Sequence, residues 1–411
     1  MIKFIIILFL AVINISAVTL EENLDNYILS INKVSISPDK SKLLVTDTKQ
    51  GKLFLFDRKN GKFLYSFKPD IFYNDTIVKI NKQKNLLHNN YCTLYELFKI
   101  KGGKYDPEKI KKWYNNSVKS ASFDRNGNII ALCKINVSRV IKKTDKHKKN
   151  LWVMGQTNVL VRIDQENKKS KVFLFDNQVV NDSIRTIQNH YLKVHDSTKI
   201  IAISNLQLLN GYNPNSLNKN NSDKIEYVDK NTDLLSIYNY KTGDYLDSKF
   251  KTPEVFSKAD LGTNIIKLNI HSVNIFDKYY HVFPYDPYLY TCNEKIKLKK
   301  LPIKNLKYDH SHFINFYKYD KIQNFKIENI FKLDDNTILI HIYTINPETR
   351  KITNSHFCEY ETNGNLIKKH NHKRKINGIY IYYTHYSQKL DQFIYFVKDN
   401  QGWTVKYENY N

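Results

Sequence analysis

The chain of 411 residues contains little glycine and proline, 12 and 9 residues respectively. No Pro-rich or Gly/Ser-rich stretch marks a linker between two domains. Short catalytic and nucleotide-binding motifs are also missing, because no GxSxG, HExxH, P-loop or GxGxxG pattern occurs. Since the chain is longer than one hydrophobic core usually supports, the sequence favours a repeat fold whose core is distributed.

Cysteine is also scarce: the chain has Cys92, Cys133, Cys292 and Cys358, and no two of them form a CxxC pair. This spacing excludes the usual zinc-binding and thioredoxin-like signatures and a small disulfide scaffold. The apolar run around Cys133 predicts a buried free thiol. Zero, one or two disulfides are compatible with the sequence.

Arginine makes up only seven of the 64 basic side chains, although the formal net charge is +24. Proteins that bind nucleic acid favour Arg for bidentate base contacts and stacking, so nucleic acid is not an expected partner. The Lys surplus is typical of codon bias in an AT-rich genome. The alternative is a positive field that attracts anionic polymers or surfaces. Lysine clusters at residues 142–149, 295–300 and 368–375 are predicted to be solvated loops.

The N-terminus has the pattern of a secretory signal peptide. Lys3 precedes an uninterrupted apolar run at residues 4–13, which is too short for a comfortable membrane span, and small residues follow it. We predict cleavage after Ala17 and an exported protein, periplasmic or extracellular. An uncleaved membrane anchor is the alternative. No later segment approaches a membrane span, so we expect none after cleavage.

β-Structure is predicted along nearly the whole chain. In the first unit, residues 34–37 alternate between apolar and polar, and residues 43–45 and 53–57 are short apolar runs. A turn that contains Gly61 leads into residues 63–67. Four short strands joined by tight turns form one antiparallel sheet, which is the building unit of a propeller blade.

Comparable units recur in order along the chain, so we predict an all-β fold. The predicted architecture is a six-bladed β-propeller of four-stranded antiparallel blades with short helical and loop insertions. Residues 1–17 are the predicted signal peptide and residues 18–411 a single propeller domain. The six units span approximately residues 34–67, 121–175, 191–246, 265–290, 327–367 and 379–407.

Three units share a pattern in which an apolar run ends in an aromatic residue and a glycine turn follows. We predict that this pattern is the outer hairpin of a blade, with the aromatic side chain between blades and the glycine at positive φ. The pairs are Phe56 with Gly61, Tyr238 with Gly243, and Tyr360 with Gly364.

The first unit, from residues 34–39 through Gly61 to residue 64, resembles an NHL-type repeat. From about residue 25 onward the chain resembles the exported bacterial six-bladed propellers of the NHL-repeat and TolB-like superfamily. The resemblance implies fold and export without an activity. Two enzyme groups share this architecture, the gluconolactonase-like lactonases and the NHL-type lyases. Both hold a metal in the central channel with residues from several blades.

Three further segments carry predictions. Because an open ring would expose the edges of its first and last blades, we predict that residues 27–31 pair as a strand with the C-terminal blade. Residues 106–114 form the best helix candidate, with Asp106 as N-cap and Pro107 in the first turn. Residues 205–231 are predicted to be a polar loop.

Three short motifs could bind a metal, but each has a simpler explanation. Asp309-His310-Ser311-His312 has an HxH pair without an identifiable third ligand, so a surface loop is favoured. His370-Asn371-His372 lies among Lys and Arg, whose charge opposes cation binding. Residues 334–336, Asp-Asp-Asn, lack the remaining ligands of a calcium loop and are predicted to be a hairpin turn. We assign no catalytic, binding or metal residues and expect no cofactor.

The sequence favours a monomeric binding or scaffold module that holds a protein or glycan partner in the cell envelope. The alternative is a metal-dependent hydrolase or lyase, lactonase-like, with its site in the central channel. A third possibility is an electrostatic binder of anionic polymers.

Overall fold

A computed structural model defines the fold. It describes residues 16–70, 73, 76, 91–92, 116–141, 151–166, 169–174, 186–194, 199–208, 233–239, 242, 245–251, 270–275, 278–303, 324–372 and 374–410. The predicted helix at residues 106–114, Gly243 and the motif at residues 309–312 lie outside these ranges. Tyr73 and Thr76 are helical, and the named elements are all β-strands.

The described strands group into six antiparallel sheets that follow one another in chain order. Sheet one contains β2 (Lys33–Ile36), β3 (Lys42–Asp47), β4 (Lys52–Asp57) and β5 (Phe63–Phe67). Sheet two contains β6 (Tyr91–Cys92), β7 (Ser117–Phe123), β8 (Ile129–Ile141), β9 (Leu151–Ile163) and β10 (Ser170–Leu174). Sheet three contains β11 (Thr186–Val194), β12 (Lys199–Leu208), β13 (Asp233–Asn239) and β14 (Tyr245–Lys251).

The second half of the chain repeats this arrangement. Sheet four contains β15 (His271–Ile275), β16 (Lys278–Val282), β17 (Tyr288–Tyr290) and β18 (Lys295–Lys297). Sheet five contains β19 (Phe325–Lys332), β20 (Thr337–Ile345), β21 (Ile352–Glu361) and β22 (Leu366–His372). Sheet six contains β23 (Lys375–Ile376), β24 (Ile379–Ser387), β25 (Gln392–Asp399), β26 (Gly402–Asn409) and the N-terminal strand β1 (Ser16–Thr19).

The burial pattern along the strands shows how the sheets stack. Strand β2 alternates between half-buried and buried residues, whereas the next strand, β3, is buried at nearly every position. The same contrast separates β19 from β20. A strand buried on both faces belongs to a sheet that is covered on both sides, so the sheets pack face to face.

The sheets form a propeller-like ring in which each packs on its neighbours. Apolar clusters fill the seams between sheets one and two, four and five, five and six, and six and one. Between sheets three and four, the Phe250 ring stacks on the His281 ring with centroids 4.0 Å apart. Strand β11 lies against β7, which joins sheets two and three.

Strand β1 joins the N-terminal end of the described chain to sheet six. Ser16 pairs with Tyr407 and Val18 with Val405, so the first residues add the outermost strand to the last sheet. The prediction that residues 27–31 form this strand is wrong. Ile28 is instead fully buried between sheets six and one, and its carbonyl oxygen accepts a 2.9 Å hydrogen bond from the Trp403 indole. Its apolar character reflects packing rather than strand pairing.

The glycine turns connect neighbouring sheets in a repeated way. Gly61 and Gly364 both have positive φ, 74° and 86°, as the sequence pattern predicts. The Gly61 carbonyl accepts a 2.9 Å hydrogen bond from the Glu21 amide, just after β1. The Gly364 carbonyl accepts one of the same length from the Lys299 amide, just after β18. Strand β1 therefore holds in sheet six the position that β18 holds in sheet four.

The aromatic residues of the same pattern are fully buried. Phe56 belongs to the cluster between sheets six and one, and Tyr360 to the cluster between sheets four and five. Tyr238 is also fully buried. The predicted position of Phe56 and Tyr360 between sheets is confirmed.

Two loop predictions need correction. Residues 205–208 belong to β12 rather than to the predicted loop at 205–231, since Leu208 pairs with Thr186. The lysine clusters at 295–300 and 368–375 contribute to β18 and β22, the outermost strands of sheets four and five. An outermost strand exposes an edge, where Lys side chains remain solvated and hinder pairing with other chains.

Three of the four cysteines have described side chains, and all three are free thiols. Cys133 is fully buried as predicted, and burial raises its thiol pKa. Cys358 is also buried, which raises its pKa to about 12, whereas Cys292 is exposed. In the described part of the chain, no helix has the length and apolar character needed to cross a membrane.

Candidate functional site

One strand from each of five sheets, namely β2, β7, β15, β19 and β24, contributes to the wall of a cavity of about 540 Å³. These strands lie nearest the ring axis, since β2 contacts β7 on one side and β24 on the other. The cavity lies towards the ends at which β2, β7 and β15 begin. Its polar lining comprises Asn32, Lys33, Thr48, Lys119, Ser120, His271, Glu328, Asn329, His341, Tyr343, Tyr382, Tyr383, Thr384 and His385.

Two lysines form the basic side of the cavity. Lys33 extends from β2 and donates a 3.0 Å hydrogen bond to Ser120 Oγ on β7. Lys119 lies at an irregularity in the pairing of β7 with β8. Burial lowers the pKa of the Lys119 ammonium group, since the surrounding atoms replace water. The two lysines bring positive charge to the wall formed by sheets one and two.

The opposite wall contains Glu328, the one carboxylate among the described lining residues. Its Oε2 lies 2.5 Å from Lys326 Nζ, so this acid already has a cationic partner. Both side chains are about one third exposed. The carboxylate is therefore offset by Lys326.

Three histidines line the cavity in their neutral form. Burial lowers the pKa of His271 to about 4, assisted by the positive charge of Lys326. The pKa of His385 falls to about 4 through burial and the charge of Lys33. His341 is almost completely buried, and its pKa is well below the ordinary value for the same main reason. Near neutral pH these imidazoles offer hydrogen bonds without charge.

His341 is fixed by its neighbours in sheet five. Its Nε2 lies 2.8 Å from Ser355 Oγ, and its ring stacks on Phe357 with centroids 4.3 Å apart. The Tyr343 ring approaches it edge-on at 4.7 Å. These contacts restrict the ring to one orientation, so this wall of the cavity is pre-organised.

An exposed aromatic pair stands on β24. Tyr380 and Tyr382 are 54% and 63% exposed, and Tyr382 lines the cavity. The Tyr382 ring packs edge-on against the ring of buried Trp403, with centroids 5.3 Å apart, and this contact restricts its orientation. The Lys375 ammonium lies 4.3 Å from the Tyr380 ring centroid. We call Tyr380 and Tyr382 the tyrosine rim. Exposed aromatic side chains on a rigid strand are typical of binding surfaces.

The two described motifs considered for metal binding, residues 334–336 and 370–372, do not line this cavity. His372 is buried beside His341 and Tyr395, and burial lowers its pKa to about 4. The His370 ring contacts Tyr410 rather than a second ligand. The hairpin-turn prediction for residues 334–336 is confirmed, because Asp334 Oδ1 accepts hydrogen bonds from the amides of residues 336 and 337. Across the described residues, no group of three or more His, Cys, Asp or Glu side chains could hold a metal.

A buried serine–histidine pair in sheet four resembles catalytic machinery but lies in the interior. Ser272 Oγ is 2.5 Å from His281 Nδ1, and both residues are buried. Neither residue lines the axial cavity. The His281 pKa falls to about 3 through burial. The stacking of Phe250 on the His281 ring indicates a packing role.

A second cavity, of about 700 Å³, opens beside sheet five. It is lined by Leu301, Pro302, Ile303, Asn324, Thr344, Thr353, Asn354, Ser355, His356, Lys369, Asn371 and His372. His356 Nδ1 lies 3.1 Å from Asn371 Oδ1 on the floor of this cavity. The site contains amides and hydroxyl groups but few charges.

Sequence reasoning assigned none of the residues of the axial cavity. A signal exists in retrospect: Lys33, Lys119 and Glu328 are charged residues within the short strand sequences of β2, β7 and β19. Because the lining residues come from five sheets, Lys33, Lys119 and Glu328 are separated by more than 50 positions from one another and form no local motif. The ring places them together.

The site defines a class, a propeller-like ring of β-sheets around a basic axial cavity. No protein-family model and no curated protein matches the chain. One similar solved structure is a member of the DUF4221 family from Bacteroides vulgatus, with 9% identity, a TM-score of 0.48 and 96% of each chain covered. Another is a Bacteroides fragilis protein designated as exported, with 9% identity, a TM-score of 0.45 and coverage of 96% of this chain and 94% of that chain. Likenesses this distant carry no argument about function.

Proposed function

We propose that this chain is an exported binding module in which the six sheets are six blades of one closed propeller, spanning residues 18–411. The placement of β1 on sheet six supports closure, since the N-terminal strand covers what would be an open edge. The packing of each sheet on the next supports a single ring. The NHL-repeat and TolB-like resemblance agrees with this architecture.

We propose further that the partner binds at the mouth of the axial cavity. The observation that carries this proposal is the position of exposed Tyr382 at a cavity lined by five sheets. The cavity volume lies within the range of about 300–1,000 Å³ that ligand sites occupy. The tyrosine rim would contact the surface of a protein or glycan partner from the cell envelope. A protruding part of that partner would enter the polar interior of the cavity.

The runner-up, a metal-dependent hydrolase or lyase, receives no specific support from the described residues. The cavity presents two lysines beside its neutral histidines, and positive charge opposes cation binding. A binding role needs only the surface and hydrogen-bonding groups present at the mouth.

Site-specific photo-crosslinking in the native cells tests the proposal. A benzophenone amino acid replaces Tyr382 at the rim or, as a control, Ile367 on the outer strand β22. Ile367 is 49% exposed and suits the comparison because it is also a surface residue of a strand. We expect a discrete adduct from position 382 and none from position 367. Protease and glycosidase digestion identify its class. The same adducts from both positions, or none from either, would contradict binding at the mouth.

A further inference from the structure

We infer that the partner is a protein, and that it binds through an apolar surface flanked by acidic side chains. The complementary surface on this chain runs from the tyrosine rim across the seam between sheets six and one. We call Leu24, Tyr27, Leu29 and the tyrosine rim the docking surface. This inference rests on the proposed function and names the class of the partner that binds at the mouth.

The exposed apolar side chains of the described part of the chain are concentrated at this surface. Eight large apolar or aromatic residues are exposed, and the five of the docking surface lie on two short segments, residues 24–29 and 380–382. The other three, Leu64, Leu246 and Ile367, lie one each on the outermost strands of sheets one, three and five. Single exposed apolar residues are common on protein surfaces, whereas a concentration of them marks an interaction site.

Trp403 connects the two segments into one surface. Its ring contacts the Tyr382 ring, and its indole N–H donates a 2.9 Å hydrogen bond to the Ile28 carbonyl oxygen. Tyr27 and Leu29 flank Ile28 in the sequence, so exposed side chains lie on both sides of this contact. Because Tyr382 also lines the axial cavity, the docking surface adjoins the mouth of that cavity.

Hydrogen bonds fix the backbone of the N-terminal segment while its side chains remain exposed. Glu22 Oε1 accepts a 2.5 Å hydrogen bond from the Ile28 amide. Asp47 Oδ2 accepts one of 2.6 Å from the Leu29 amide. Such a segment presents Tyr27 and Leu29 in a set position, so little backbone entropy is lost when a partner covers them.

The aliphatic members of the docking surface favour a protein over a glycan. Leu24 is 94% exposed and Leu29 is 47% exposed. A leucine side chain has no hydrogen-bonding group and no aromatic ring to place against a sugar. It gains free energy when apolar side chains of another protein remove it from water.

Lysines stand beside the aromatic residues at the sheet-six end of the docking surface. Lys375 Nζ lies 4.3 Å from the Tyr380 ring centroid, and Lys398 Nζ lies 5.3 Å from the Trp403 ring centroid. Neither ammonium group forms an ion pair within the described structure. Carboxylates on a partner would therefore meet positive charge at this end.

The acids near these lysines are engaged with the backbone of the chain itself. Glu22 Oε2 accepts a 3.3 Å hydrogen bond from the Trp403 amide, and Asp399 Oδ1 accepts one of 2.8 Å from the Gln401 amide. Asp25 belongs to the N-terminal segment, where Lys52 donates to its carbonyl oxygen. The lysines at the sheet-six end thus remain available for acidic groups of a partner.

Photo-crosslinking at a second position tests the class of the partner. A benzophenone amino acid replaces Leu29 or, as a control, Leu64 on β5, which is 38% exposed. In the native cells we expect position 29 to give the same adduct as position 382, and position 64 to give none. Digestion and mass spectrometry should identify the attached fragment as a peptide with apolar side chains beside Asp or Glu.

Titration of a synthetic peptide that copies the crosslinked fragment then locates the binding energy. Leu29→Asp should weaken binding at least tenfold, because it places a charge in the apolar contact. Lys398→Glu should weaken it about fivefold, because it sets like charges against each other. Leu64→Asp on β5 and Lys368→Glu on β22 make the same changes on outermost strands and should have no effect.

Several results would overturn the inference. They are a glycan or lipid adduct at position 29, no adduct there, a crosslinked peptide without acidic residues, or equal effects of the docking-surface and control variants. If position 382 still gives a discrete adduct in these cases, binding at the mouth stands and only the inferred partner class falls. Loss of the adducts at both positions would overturn the proposed function as well.

Discussion

The contact between the Gly61 turn and strand β1 leads to a quantitative prediction about stability. A Cβ atom at Gly61 would overlap the carbonyl oxygen of Thr19 in β1. Gly127, in the turn between β7 and β8, has a similar φ of 82°, but a Cβ there meets nothing within 4 Å. Substitution by alanine at both positions therefore separates backbone strain from loss of the closing contact.

The expected magnitudes follow from these two environments. Alanine at positive φ costs about 1–2 kcal/mol at either position. At Gly61, overpacking against backbone adds about 1–3 kcal/mol, and loss of the hydrogen bond from the Glu21 amide adds about 1 kcal/mol. We expect Gly61→Ala to lower the free energy of unfolding by about 2–4 kcal/mol more than Gly127→Ala does.

Urea unfolding monitored by far-ultraviolet circular dichroism measures the difference. Gly364→Ala serves as a second test, because its Cβ would overlap the carbonyl oxygen of Lys297 on β18. It should resemble Gly61→Ala. Equal destabilisation by Gly61→Ala and Gly127→Ala would refute the placement of β1 beside this turn.

Three further predictions concern acid stability, thiol reactivity and closure. The folded-state pKa of His271 and of His385 is about 4, below the ordinary 6.5, so each stabilises the fold above pH 6.5 and loses that contribution as the pH falls towards 4. Protonation of either histidine below pH 4 should lower the free energy of unfolding by about 3 kcal/mol. The variant His385→Gln should therefore show a flatter pH dependence of unfolding between pH 6 and 4.5, and an unchanged slope would contradict this. Iodoacetamide should label exposed Cys292 in the folded protein and buried Cys133 only after unfolding, as peptide mapping by mass spectrometry would show; early labelling of Cys133 would contradict its burial. Deletion of β1 should lower the thermal midpoint and increase aggregation in light scattering, since it exposes the edge of β26; an unaffected midpoint would argue against closure by β1.

Local strand structure was predictable where side-chain alternation and turn chemistry agree. In sheet one, the predicted runs at residues 34–37, 53–57 and 63–67 correspond to β2, β4 and β5 within about one residue. Gly61 marked the turn correctly because few other residues tolerate positive φ. Both signals are local, so they can be read from adjacent residues.

Closure of the ring was predicted in principle but assigned to the wrong residues. The apolar run at residues 27–31 had the pattern of a strand, yet its buried residue Ile28 packs in a seam between sheets. The strand that pairs with β26 includes Ser16 and Ala17, residues assigned to the signal peptide. Cleavage after Ala17 would leave Val18 and Thr19 to pair with β26. Apolar character predicts burial, but it does not say whether the backbone or the side chain makes the contact.

The candidate site was beyond sequence reasoning for a geometric reason. Lys33, Lys119 and His385 belong to three different sheets, and their proximity depends on the order and spacing of sheets around the ring. The lysine clusters are the most concentrated positive charge in the sequence, but two of the three contribute to outermost strands, β18 and β22.

A crystal structure of the protein tests the central claim most directly. We predict six sheets in one closed ring around an open axial cavity. A chain divided into separate globular cores, or an axial cavity filled by the protein's own side chains, would contradict the account.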